Sequence, residues 1–327
     1  PGWAGLKNEW KEPNPPVVNG EDVYSKGPIP REWAKWRGHY THGDSVILSY
    51  TVGASSVLEL PSFANGIFQR QFEITRSPSK SPMSLLACEV PGATGSVKGN
   101  VALLEKDGHI TGVAVLGSGV ELKAENGRII ATILSPLPAN HFHLGIWSGP
   151  KAAVGKLHQF AKMKIKARAL RELTKGGPAK WNQPVTTQGR LGLIPGPYVV
   201  DTITVPEENP WKSWIRCSGF DFFGDGETAA MCSVTGDVWI VTGINQDLKE
   251  LQWRRFATGL FQPLGLKIVK GKVYVLGRDQ ITRLHDLNSD GEADFYENFN
   301  NDISISNHYH EFCLNLSTDP EGNFYFI

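Results

Sequence analysis

Cysteine is scarce in this chain of 327 residues. The four present, Cys88, Cys217, Cys232 and Cys313, form no CxxC and no CxxCH, which excludes a structural zinc knuckle and covalent haem attachment within this stretch. Cys217 and Cys232 flank FGDGE. A turn centred on Gly224 and Asp225 would set them face to face for a disulfide, whereas a turn shifted by one residue leaves two thiols. Long apolar runs are missing too, so no membrane-spanning helix is expected, and no signal peptide is seen. The chain opens on Pro1 and closes on the strand-like NFYFI, which predicts a segment of a longer precursor and leaves location unread from the leader. Net charge is also absent: the formal value is zero, yet residues 219–327 hold 16 acidic against 8 basic side chains and the remainder is correspondingly basic. A basic half is one route to nucleic acid, but these cations are scattered apart from one run, and no nucleic-acid partner is expected.

What the chain has in quantity is glycine (35), proline (21) and aromatic residues (10%), the composition of a turn-rich, all-β protein long enough for two cores. Residues 1–43 read as a Pro/Trp-rich arm, in which Trp3, Trp10, Trp33 and Trp36 either staple the arm to a domain surface or form a sugar-stacking platform. Residues 44–150 carry repeated alternating segments such as SVILSYTV, GIFQRQFEIT and VELKAENGRIIATILS, with hairpin turns at KDGH and ENGR. That pattern predicts an antiparallel β-sandwich with almost no helix. Residues 151–181 change character. Helix formers dominate, with eight Lys or Arg against one Glu over 151–175, and the segment reads as a basic linker helix closed by GGPAKW.

From 182 to 327 a repeat emerges. GDVWIV (236–241), GKVYVL (271–276) and GNFYFI (322–327) share the order Gly, polar, apolar, aromatic, and each follows a short apolar strand. Strand, tight turn and strand recurring in this way predict an incomplete β-propeller, with the three segments at equivalent places in successive blades. The rest of the propeller is an expected partner, from the same precursor or another chain.

The longer spacing between the second and third segments holds HDLNSDGEADFYE, residues 285–297, with five acidic side chains. Asp286, Asn288 and Asp290 occupy positions 1, 3 and 5 of an EF-hand-type loop, Gly291 position 6, Glu292 position 7 through its carbonyl, Asp294 position 9 and Glu297 position 12. A divalent hard cation turns the mutual repulsion of such carboxylates into binding. The flanks read as strands, so the expectation is a calcium loop between blade strands without a paired hand; a solvated loop of Asx-turns is the alternative. His308 and His310 in NHYHEF, like His141 and His143 in HFHLG, lie two apart on one strand face, where each pair is a weak metal site or a pair of hydrogen-bonded histidines.

The stretch FATGLFQPLGLKIVKGKVYVLGRDQITRLHDLNSDGEADFYENF resembles the blades of sugar/sorbosone dehydrogenase-like, quinoprotein-type propellers in large exported bacterial proteins. GPIPREWAKWRGHYTHGDSVILSYTVG and LTKGGPAKW resemble an uncharacterised domain that precedes that propeller in multidomain proteins, often cytochrome c-bearing. The resemblance implies a periplasmic or extracellular oxidoreductase that oxidises a sugar or alcohol with pyrroloquinoline quinone and calcium and passes electrons to a cytochrome c domain, any haem lying elsewhere in the full chain. On that basis His308 and His310 are the candidate catalytic bases and Arg278 and Asp279 the candidate cofactor contacts. A non-catalytic scaffold that binds a glycan or a protein, with structural calcium, is the competing expectation.

Overall fold

The computed structural model describes residues 2–3, 29–75, 82–134, 139–164, 169–194, 196–305 and 310–327. It divides into two units, the first holding 29–40 and 44–174 of the described chain together with Gly2 and Trp3, the second holding 41–43 and 175–327.

The first unit is all-β. Its strands are β1 (Ala34–His42), β2 (Ser45–Val52), β3 (Ser55–Ala64), β4 (Ile67–Thr75), β5 (Met83–Glu89), β6 (Thr94–Lys98), β7 (Val101–Lys106), β8 (His109–Gly117), β9 (Val120–Glu125), β10 (Arg128–Ile133) and β11 (Ala139–Pro150). The last two residues of β1 belong to the second unit. One sheet runs β1-β2-β3-β4-β11-β8-β7-β6 and the other β5-β10-β9. They face each other across a core of Val57, Phe72, Leu85, Val113, Ile129, Ile133 and Phe142, with the Phe72 and Phe142 rings stacked at 4.8 Å. This is the expected antiparallel sandwich. Among the described residues of 44–148 there is no helix. The turns form where the sequence places them: Asp107 and Gly108 join β7 to β8, and Asn126 and Gly127 join β9 to β10, all four with positive φ, as two-residue hairpins require.

Two expectations need correction here. The arm gives way to strand at Ala34, well before residue 44, because the main chain of Lys35 and its neighbours pairs with β2, the Lys35 amide donating to Thr51 Oγ1 at 2.9 Å. Trp3 does act as a staple: it bridges Leu85, donates from Nε1 to Tyr50 Oη at 3.0 Å and meets Phe72 edge-on. Trp10 lies outside the described residues. The basic segment is no linker helix. It breaks into a 3-10 turn (Lys151–Ala153), a short helix α1 (Gly155–Phe160) and a second 3-10 turn (Leu170–Thr174). Burial explains the break, because Leu157 and Phe160 pack with Ile67, Ile110 and Trp147, and Leu170 and Leu173 pack with Ile47. These are residues on the outer face of the larger sheet, and a single straight helix could not follow that twisted surface.

The second unit contains β12 (Val185–Thr187), β13 (Cys217–Phe222), β14 (Ala229–Ser233), β15 (Val238–Thr242), β16 (Leu251–Ala257), β17 (Gly265–Val269), β18 (Lys272–Leu276), β19 (Ile281–His285), β20 (Phe295–Asn300), β21 (Ser317–Thr318) and β22 (Phe324–Tyr325). Strands β13 to β16 form an antiparallel meander with β12 added beside β16, strands β17 to β20 form a second meander, and β21 and β22 form a hairpin. Two successive four-stranded meanders packed through Ala230, Cys232, Leu266, Val275 and Leu284 have the plan of consecutive propeller blades, without closure into a ring. The opposite face of the first meander is covered by Val185, Ile203, Val205, Trp211 and Ile215, from the part of the chain that leads into it.

Close approach of the first strands fixes the stack. A Cβ on Gly219 of β13 would come within 2.8 Å of Leu266 N, and one on Gly265 of β17 within 2.8 Å of Leu316 N. The repeat is offset from expectation. GKVYVL supplies the second strand of its meander and GNFYFI the second strand of its hairpin, but GDVWIV supplies β15, the third strand of its sheet. A glycine-led turn followed by an apolar strand marks any hairpin, so it does not count strands. Of the two alternatives for Cys217 and Cys232, the structure takes the shifted one: Cys217 sits opposite Ser233 and Cys232 opposite Gly219, across a register shift, and both are free thiols.

Replacing Phe160, whose ring lies against Gly145, should show that 155–160 is a structural cover. Phe160→Ala should cost about 3–5 kcal/mol in urea unfolding, where a solvated linker residue would give almost no change.

Candidate functional site

The acidic stretch is a turn between β19 and β20, and its side chains divide into three groups. Asp286, Asn288 and Asp290 converge at one end. Asp286 Oδ1 and Oδ2 accept from the amides of Asp290 (3.2 Å) and Gly291 (2.9 Å), Asn288 Oδ1 accepts from the Asp290 amide (3.2 Å), and Asn288 Nδ2 donates to Asp290 Oδ2 (3.0 Å). Glu292 and Asp294, both buried, reach the main chain of residues 177–181. The Glu292 carboxylate accepts from the Lys180 amide at 2.7 Å and from the Trp181 amide. Asp294 Oδ1 accepts from the Gly177 amide and Oδ2 from the Leu287 amide, each at 2.8 Å. Asn288 Nδ2 also donates to the Gly177 carbonyl at 2.6 Å.

Glu297 departs from its expected place. It lies on β20, opposite Arg283, and its carboxylate is shared by Arg283 and His285 Nε2 at 2.5 and 2.6 Å. As a test of fit to calcium, the donor set is therefore partial. Asp286, Asn288 and Asp290 make one converging group, whereas loops of this kind gather six to eight oxygens and the carboxylates expected from positions 9 and 12, Asp294 and Glu297, accept from main-chain amides and from Arg283 and His285 instead. Among the described residues no group of three or more His, Cys, Asp or Glu side chains surrounds a metal-sized centre.

Arg278 and Asp279 fall at the turn between β18 and β19. The Arg278 guanidinium is flanked by the rings of Phe261 (5.7 Å) and Phe312 (5.6 Å), and Nη1 reaches Gln262 Oε1 at 3.4 Å. Burial pushes the Asp279 carboxyl above its ordinary value of 3.8 against the pull of nearby amides. His310 is exposed at a turn two residues before Phe312; His308 lies outside the described residues. In the first unit, His143 is buried on β11 while His141 is exposed, and burial holds the His143 imidazole below its ordinary range.

One site was not anticipated from the sequence. The first strands of the two meanders and residues 315–318 line a groove of about 340 Å³, with Ser218, Phe220, Lys267, Asn315, Ser317 and Thr318 along it. Lys267 Nζ pairs with Asp221 Oδ2 at 2.8 Å, and that oxygen also accepts from the Ile268 amide at 2.8 Å. Phe220 and Phe222, exposed on an edge strand, meet edge-to-face at 5.2 Å. The signal available in sequence was CSGFDF itself, a strand with aromatics on the same side as a small polar residue.

The family model described as "Domain of unknown function (DUF6797)" matches residues 1–59. That is less than a fifth of the chain. Among solved structures, the chain is similar to a Bacteroides fragilis protein described as a candidate 6-phosphogluconolactonase, at 11% identity over 92% of this chain and 99% of that one, with a TM-score of 0.27; a score that low carries no argument here. No curated protein matches.

Because Glu292 accepts two backbone amides, Glu292→Gln should turn an amide N–H₂ toward one of them. Stability should fall by about 1–3 kcal/mol, equally in calcium and in chelator, whereas any calcium-dependent part of the melting temperature should disappear in Asp290→Ala. Differential scanning calorimetry in both conditions separates the two roles. For Asp279, a folded value above the unfolded one means that stability is lost as pH rises through the folded value. Asp279→Asn should therefore melt higher than the parent near pH 7 and no differently below about pH 3.8.

Proposed function

We propose that this chain is a carbohydrate-binding segment of an exported propeller-type protein. The observation that carries this reading is the groove along the first strands. It combines an exposed aromatic, Phe220, with hydroxyl, amide and ammonium groups from Ser218, Ser317, Thr318, Asn315 and Lys267. An apolar ring face beside several convergent polar groups is the chemistry that a sugar's alternating C–H and O–H surfaces require. The acidic loop serves chiefly as a structural clasp, and calcium at Asp286, Asn288 and Asp290 would add to it.

A second reading, oxidation of the bound sugar, is favoured by the Arg278 guanidinium flanked by two aromatic rings beside Asp279, whose carboxyl burial pushes above its ordinary value. Those residues would face the carboxylates of pyrroloquinoline quinone, which accepts hydride from an alcohol carbon when bound. His310 and His308 would take the hydroxyl proton, and a cytochrome c domain would receive the electrons.

Titration calorimetry with mono- and oligosaccharides is the test. Saturable binding that weakens at least tenfold in Phe220→Ala or Lys267→Met supports the first reading. Absence of any saturable sugar binding overturns it. Sugar-dependent dye reduction after addition of pyrroloquinoline quinone and calcium, lost in Arg278→Ala, would establish the second.

A further inference from the structure

A second cavity, of about 280 Å³, opens on the outer strands of the first meander and away from the first-strand groove; Ile240, Thr242, Gln252, Arg254, Phe256 and Gly291 line it. Its chemistry follows from register. Ile240 pairs with Arg254 and Thr242 with Gln252 across β15 and β16, and directly opposed residues of an antiparallel pair share one face. One face thus carries an apolar floor, Ile240 and Phe256, both half-buried. A guanidinium stands beside it, with a hydroxyl and an amide at the rim where Thr242 and Gln252 are exposed.

The fixed position of Arg254 is the deciding feature. Its Nη1 donates to the Asp290 carbonyl at 3.0 Å. A Cβ on Gly291, whose φ is +89°, would lie 2.1 Å from that nitrogen, so only glycine at 291 lets the guanidinium lie against the loop. Phe256 is tied to the same loop through its carbonyl, which accepts from the Ala293 amide at 2.8 Å. The loop therefore positions both the cation and the aromatic floor before any ligand arrives.

We infer that this cavity is a binding site for a monosaccharide-sized ring bearing a carboxylate, such as a hexuronate. Its volume falls below that of pockets for drug-sized molecules. A pyranose sets its C–H face on Phe256 and Ile240, its carboxylate accepts from Arg254, and its ring hydroxyls meet Thr242 and Gln252. Neutral sugars satisfy the floor and rim but leave the guanidinium without an anionic partner, so the site discriminates by charge. The inference stands apart from the first-strand groove and does not need sugar to bind there.

The experiment is ligand-observed NMR and titration calorimetry on the full chain with D-glucuronate and D-glucose, on the parent and on Arg254→Met, Thr242→Val and Lys267→Met. The expected result is saturable glucuronate binding at least tenfold tighter than glucose. Arg254→Met should erase that preference, Thr242→Val should weaken both sugars about equally, and Lys267→Met, which acts on the first-strand groove, should leave the preference for glucuronate over glucose in place. Thr242→Val keeps the test decisive should Arg254→Met fail to fold, since it alters only an exposed rim hydroxyl. Equal affinity for the two sugars, or no saturation with glucuronate, would overturn the inference. So would a preference that survives in Arg254→Met and vanishes in Lys267→Met, because that would move the ligand to the first-strand groove.

Discussion

Two buried carboxylates hold the second unit together. Glu292 and Asp294 are only 6% and 5% exposed, and both accept from main-chain amides of residues 177–181, with Asp294 also accepting from the Leu287 amide. Burying a carboxylate without partners would cost several kcal/mol. Amide donors convert that cost into a charged-acceptor interaction that specifies where residues 177–181 must run. The main chain of Thr41 joins the same clasp, its amide donating to the Asp294 carbonyl at 2.8 Å, and His42 Nδ1 lies 3.1 Å from the Gly176 carbonyl.

The consequences spread along the chain. Once 177–181 is fixed, the Trp181 ring lies 5.1 Å from the Arg255 guanidinium, with Trp211 at 5.8 Å. Arg255 is paired with buried Asp237 at 2.6 Å, and Asp237 also accepts from the hydroxyls of Thr258 and Ser213. A buried acid shared by one cation and two hydroxyls is satisfied only while all three donors stay in place. From there Val185, Ile203, Val205 and Ile215 cover the far face of β14 to β16. An acidic turn in one meander thus sets the path of a segment that lies more than a hundred residues earlier in sequence and seals the other meander.

That sequence separation explains what could and could not be read from the residues alone. The hairpin turns at Asp107–Gly108 and Asn126–Gly127 are legible because two adjacent residues decide them. The acids at 286–297 are equally visible, and their spacing follows a calcium loop; what spacing does not reveal is that Glu292 accepts from Lys180 and Trp181, and that Asp294 divides its oxygens between Gly177 and the loop's own Leu287 amide. Glu297 misleads for a related reason. Position 12 of the pattern falls on a strand here, where alternation aims the side chain at Arg283 and His285 across the sheet. The stretch 151–175 has helix-forming composition throughout, yet Leu157, Phe160, Leu170 and Leu173 are drawn onto a sheet face, and burial of four such side chains, about 1.5–3 kcal/mol each, outweighs propensity differences of a few tenths. The first-strand groove was hidden because β13, β17 and residues 315–318 contribute to it from separate parts of the chain.

Burial and exposure are divided between different strands of the same sheet. In the first meander β14 is buried along its whole length, while β13 alternates between exposed and half-buried positions. The strand that does least for the core is therefore free to present Ser218, Phe220 and Phe222. Gly219 and Gly265 reinforce the division. They let the backbones approach so closely that no side chain fits between them, and both glycines lie along the groove itself. A larger residue at either position would push the strands apart, widening the groove and loosening Leu266 and Leu316 together. The same geometry that narrows the site thus ties its shape to the packing of both meanders.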